Sequence, residues 1–117
     1  MKRSIKAADE NSSSQDIVID VAENLGWGVS VYNEVEPEVE FEYYCGNGMD
    51  GIAIISTSDW DDFAKELQDY AFYYDPEEEA MIQVQANGNP GIRAVLEDCD
   101  EFAEKLDELA DAIKSTI

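Results

Sequence analysis

From Ile17 to Leu25, apolar side chains return every three or four positions: Ile17, Val18, Val21, Ala22 and Leu25. That period places them along one side of a helix, predicted over 15–25. Ser14 stands where a cap is needed, Asp16 near the positive end and Gly26 at the stop. The β-branched run Ile17-Val18-Ile19 also suits a strand, but the three-four spacing favours the helix. A period of two follows. Val29, Val31 and Val35 alternate with Ser30, Tyr32 and Glu34; Val39, Phe41 and Tyr43 alternate with Glu38, Glu40, Glu42 and Tyr44. Each segment reads as a strand with one apolar face, and Pro37 belongs in a turn or at an edge. Cys45-Gly46-Asn47-Gly48 predicts a turn, since Asn-Gly tolerates positive φ. Residues 51–56 form a third strand, and the nearly unbroken run Ile52-Ala53-Ile54-Ile55 predicts a central strand covered on both sides.

A second helix is predicted over 59–74, capped by Ser58 with Asp61 three residues on. Trp60, Phe63, Ala64, Leu67, Tyr70, Ala71 and Tyr74 form its apolar stripe, and Asp75-Pro76 ends it. Residues 81–85 read as a fourth strand, bounded by the turn-forming segment 87–91. From Ile92 to Ile113 the stripe Ile92, Val95, Leu96, Cys99, Phe102, Ala103, Leu106, Leu109, Ala110 and Ile113 predicts a helix of about six turns. The sum is an α+β domain in the order α-β-β-β-α-β-α. A small, mainly antiparallel sheet of three or four strands packs with three helices, in a two-layer arrangement that leaves strands partly exposed. Residues 1–14 read as a flexible N-terminal tail and 15–117 as a single acidic domain.

Charge changes this picture most. The 117 residues include 28 acids, seven bases and no histidine, a net charge of −21. Disorder would be one outcome of such acidity, but 44% of the residues are hydrophobic and 10% aromatic, and they recur periodically. Residues 1–14 set Lys2, Arg3 and Lys6 against Asp9 and Glu10, so the other 103 residues keep 26 of the 28 acids and four of the seven bases, a net −22. The acidity therefore belongs to the folded body. Direct nucleic-acid binding is excluded for want of cations to neutralise phosphates, and so is binding to anionic membranes. No apolar run is long enough for a transmembrane span, and no signal sequence opens the chain. The expected location is the cytoplasm.

The acids fall in rows. Glu34, Glu36, Glu38, Glu40 and Glu42 occupy alternate positions, roughly 6.7 Å apart on an extended chain. Glu97, Glu101, Glu104, Glu108 and Asp111 share one side of the last helix in steps of roughly 4.5–6 Å, and Asp98, Asp100 and Asp107 widen that band. Asp59, Asp61, Asp62, Glu66 and Asp69 form a third cluster. Phosphates of one DNA strand rise about 3.4 Å per nucleotide, so such carboxylates can imitate a phosphate track. The alternative is a solvated coat that serves only solubility. The second helix cannot bury Tyr70, Phe72, Tyr73 and Tyr74 on one stripe. Phe72 or Tyr73 is expected at the surface, as a hot spot for an arginine-rich partner or as a homodimer contact. The candidate partner-binding residues are Glu38, Glu40, Glu42, Glu97, Glu101, Glu104, Glu108, Asp111, Phe72 and Tyr73.

Catalytic signals are weak. With 28 acids, some carboxylate pair is inevitable, and none stands out as an acid–base couple. Cys45 has no histidine to activate it, and nearby carboxylates would raise its pKa. Cys99 falls on the buried stripe. No calcium-loop spacing or phosphate-binding glycine motif is present. No catalytic residue, metal or cofactor is expected, and the partner is a basic protein, with a nucleic-acid-binding protein as the sharpest case.

Met1-Lys2-Arg3-Ser4-Ile5-Lys6-Ala7, Glu42-Tyr43-Tyr44 with Gly48, Asp62-Phe63 with Asp69-Tyr70, and Leu96-Glu97-Asp98 through Leu109-Ala110 resemble small uncharacterised acidic proteins carried on conjugative and plasmid-like elements of gut Firmicutes. Some such elements encode acidic antirestriction or anti-CRISPR proteins that look like DNA. The resemblance thus implies mimicry, but carries over no catalytic or binding residue.

Overall fold

A computed structural model describes residues 7–86 and 91–116. The elements are α1 (Ala7–Asn24), β1 (Gly28–Asn33), β2 (Glu38–Tyr44), β3 (Asp50–Ser56), a short 3-10 turn (Trp60–Asp62), α2 (Phe63–Tyr73), α3 (Pro76–Ala86) and α4 (Ile92–Thr116). This is a small α+β domain: a three-stranded antiparallel sheet, ordered β1-β2-β3, with several helices packed on it. The middle strand is β2, not β3. Residues 87–90 of the turn expected over 87–91 and residues 1–6 of the expected tail lie outside the described residues.

The alternation read along each strand sorts the two faces. Val39, Phe41, Ala53 and Ile55 are buried and Val29, Val31 and Tyr43 pack against them, while Ser30, Glu38, Tyr44, Ile52 and Ile54 are exposed. Helices cover the first face and leave the second open. α4 carries the largest share of the core, through Cys99, Phe102, Leu106, Leu109, Ala110 and Ile113. Its Phe102 ring packs against Gly51 of β3, where an added Cβ would run into it. The same ring stands 5.5 Å from Trp27 and 5.3 Å from Tyr74. Phe63, Leu67 and Ala71 fill the inward side of α2, and Val18 and Ala22 that of α1.

Several expectations are corrected. The first helix starts at Ala7 rather than Gln15; Ala7 and Ala8 are strong helix formers and three serines weaken a helix without breaking it. Val35 is not in a strand. Asn33 Oδ1 accepts from the N–H groups of Val35 and Glu36, both at 3.0 Å, turning the chain before Pro37. Asp59, rather than Ser58, caps the next element, accepting from Asp62 N at 3.2 Å.

The fourth strand expected over 81–85 is part of α3. Asp75-Pro76 ends α2 and also starts α3: Asp75 Oδ1 accepts from Glu77 N and Glu78 N. Pro76 suits a first helical position, and Glu77, Glu78 and Glu79 stabilise the positive end. Helix initiation outweighs the strand-like alternation of Met81 to Gln85. The order among described residues is therefore α-β-β-β-α-α-α, with four α-helices instead of three.

Candidate functional site

The carboxylates expected in rows occupy two separate surfaces. Glu38, Glu40 and Glu42 stand on the open face of the sheet, in the middle strand. Opposite them across the β2–β3 ladder are Ser56, Ile54 and Ile52. Glu34 and Glu36 leave this row for the turn that precedes β2, where the Glu34 carbonyl accepts from Trp60 Nε1 at 2.9 Å. Tyr32 Oη donates to Glu40 Oε1 at 3.2 Å, and that bond raises the tyrosine pKa. A hydrogen bond with Asp50 holds the Glu42 carboxyl above its ordinary value.

The second surface is the solvent side of α4. Glu97, Asp100, Glu104, Asp107, Glu108 and Asp111 are exposed there, opposite the buried stripe, because these six of the helix's eight acids fall in the polar arc of its 3.6-residue period. Lys105 interrupts the band only at its margin, 3.5 Å from Glu108 and over the Tyr43 ring. This helix belongs to the layer beneath the sheet, so its band and the Glu38–Glu40–Glu42 row do not merge.

Two α4 acids do something else. Asp98 is 2% exposed and is not part of the outer band. Its Oδ1 accepts from Asn47 N at 2.9 Å and from Asn47 Nδ2 at 3.0 Å, and its Oδ2 accepts from Met49 N at 3.0 Å. Glu101 Oε1 accepts from Gly46 N at 2.9 Å. Together they staple the β2–β3 turn to α4. That turn closes with Cys45 N donating to Met49 O, and Gly48 adopts φ +101°, a conformation that favours glycine. The missed signal was position: Asp98 is four residues before Phe102 and eight before Leu106, in register with the core.

Cys45 and Cys99 are buried free thiols. Burial, followed by the charges of Glu101 and Asp98, pushes the Cys45 pKa up to about 12, which leaves it protonated and a poor nucleophile at neutral pH. Burial raises Cys99 as well. Among the described residues, no three acidic or thiol groups converge as a metal site.

Phe72 and Tyr73 are each 78% exposed, their rings edge to face at 5.1 Å. They look in different directions. Phe72 lines a shallow cleft of about 310 Å³ with Asp107 and Asp111 of α4. Tyr73 lines a larger one, about 500 Å³, with Ile54 of β3 and acids of α2 and α3. The structure thus joins Phe72 to the α4 band and Tyr73 to the sheet edge.

No protein-family model matches the chain, and neither curated proteins nor solved structures yield a match. No described helix is long and apolar enough to cross a membrane.

Proposed function

We propose that the protein is a non-catalytic, acidic binder of a positively charged protein surface, acting in the cytoplasm as a DNA mimic of the antirestriction or anti-CRISPR kind. The observation that carries the reading is the solvent side of α4. Its outward carboxylates run from Glu97 to Asp111, a span of about 21 Å at 1.5 Å per residue. Their steps are near those of a phosphate backbone. Solubility alone does not call for this arrangement. Like charges three and four residues apart destabilise a helix, and lysines at some of these sites would solvate it equally well. Phe72, beside Asp107 and Asp111, adds a ring on which an arginine of the partner can stack. A field of this sign speeds encounter with a basic protein and weakens with salt.

The test is capture of proteins from a heparin-retained bacterial fraction at ~50 and ~200 mM salt. A discrete protein is expected at low salt, displaced by duplex DNA and lost from a variant carrying Glu97→Gln, Glu104→Gln and Glu108→Gln. Capture that duplex DNA does not displace removes the mimicry and leaves a basic partner. Absence of any salt-sensitive capture overturns the whole reading.

The paired rings of Phe72 and Tyr73 favour a second reading, a homo-oligomeric accessory domain whose acidity serves solubility. Sedimentation at high concentration decides it: a strict monomer rules it out.

A further inference from the structure

β3 has the composition of a strand in the middle of a sheet and stands at its edge. Its side chains alternate between buried and exposed, with Ile52 46% and Ile54 49% exposed. Exposed edges usually carry lysine, proline or a bulge that discourages further pairing, and β3 has none of these. The ladder also determines which backbone groups are free. Beyond the two ends of the β2–β3 pairing, Thr57 N donates to Pro37 O and Cys45 N to Met49 O. In an antiparallel pair such bonded positions alternate with unbonded ones. The odd-numbered residues of β3 therefore bond to β2, and Asp50, Ile52, Ile54 and Ser56 turn their N–H and C=O groups outward. Among the described residues, none accepts a hydrogen bond from those four N–H groups.

A groove runs beside this edge. It has one part of about 500 Å³ along residues 54–56 and another of about 290 Å³ along residues 49–52, and Tyr70, Tyr74 and Glu79 line both. Its far wall is acidic, with Glu66, Asp69, Asp75, Glu78 and Glu79, and among the described residues no lysine or arginine lines it.

We propose that the free edge of β3 accepts a fourth strand from a basic partner protein, an extended segment that alternates arginine or lysine with valine or isoleucine. This rests on the reading that the partner is positively charged, and specifies how it docks. Main-chain bonds to Asp50, Ile52, Ile54 and Ser56 would hold the strand. Side chains on its groove side meet tyrosine rings and carboxylates, which suit the stem and guanidinium of arginine. Those on its other side extend the open face beside Ile52 and Ile54, where β-branched residues pack well. A second copy of this chain is the poorer occupant, because it brings another −21 charge against the first.

The probe is a capped synthetic peptide of about nine residues, alternating arginine and valine, titrated into the full chain. A control peptide of the same charge has a central proline. Ile54→Pro removes one outward N–H and leaves the bonds to β2 in place. It is expected to weaken the peptide by about tenfold, as is the proline in the control peptide. Should Ile54→Pro unfold the domain, Ile52→Lys with Ile54→Lys replaces it, since both sites are half exposed. Equal binding by wild type and variant, or by the two peptides, means that charge alone holds the peptide and overturns strand addition. Absence of binding overturns it too, as do wild-type dimers that Ile54→Pro abolishes, which would place a second copy on the edge. DNA-displaced capture that depends on the α4 carboxylates but survives Ile54→Pro overturns strand addition and leaves the basic-partner reading standing.

Discussion

On α4, Asp98 faces the β2–β3 turn at 2% exposure, whereas Glu97, Glu104 and Glu108 on the same helix face solvent. The residue types are nearly identical and their surroundings opposite. Asp98 meets two backbone N–H groups and an amide, all within 3.0 Å, which replace the water it gave up. The outer acids keep most of their water and gain little from the fold: Glu97 accepts from Asn47 Nδ2 at 3.3 Å, and Glu108 stands 3.5 Å from Lys105. A carboxylate inside this protein therefore holds architecture, and a carboxylate outside is free to serve recognition.

Breaking the inner side should cost most. Phe102→Ala removes the ring that covers Gly51 and touches Trp27 and Tyr74. It is expected to destabilise the domain by about 3–5 kcal/mol, read from the urea midpoint at unchanged slope. Asp98→Ala leaves Asn47 and Met49 N–H groups without their acceptor, and a loss of about 2–3 kcal/mol is expected. A comparable cost for Glu104→Ala would erase the distinction between the two sides. Changing Glu104 and Glu108 to glutamine should move stability by no more than about 0.5 kcal/mol each, and upward, because repulsion is relieved. Capture of a basic partner should fall at the same time.

The smallest effect concerns the open sheet face. The Glu42 pKa is raised above 4.5 by its hydrogen bond with Asp50, so the native state keeps that proton to higher pH than the unfolded chain does. The contribution is complete below the unfolded value and disappears as pH rises through the native one. Melting temperatures from pH 4 to 7 should therefore fall less steeply in Glu42→Gln than in wild type. Identical slopes would show that the bond to Asp50 has no thermodynamic weight.

Much of the fold was legible because burial imposes a period. The core of α4, the inward side of α2 and the apolar faces of β1 and β2 lie where three-four and two-residue spacings put them. The expected exposure of Phe72 or Tyr73 follows from counting more aromatic rings than one stripe can bury, and both rings are exposed. The errors came where one segment carries two signals. Asp75-Pro76 reads as a stop, yet the aspartate also caps the helix that follows. Met81 to Gln85 alternates like a strand, but helix initiation at Pro76 had already set its conformation. Ser12 to Ser14 precede the expected helix start, yet the helix runs through them.

An acidic body of −22 around a mixed α and β core, and the apolar sides of α2, α4, β1 and β2, follow from the order of residues alone. That β3 ends the sheet, that Asp98 turns inward and that the α4 band stands apart from the β2 row depends on how the elements pack together. Periodicity reports how one segment divides between oil and water. Strand order and carboxylate partners depend on which segments, distant in sequence, arrive beside it.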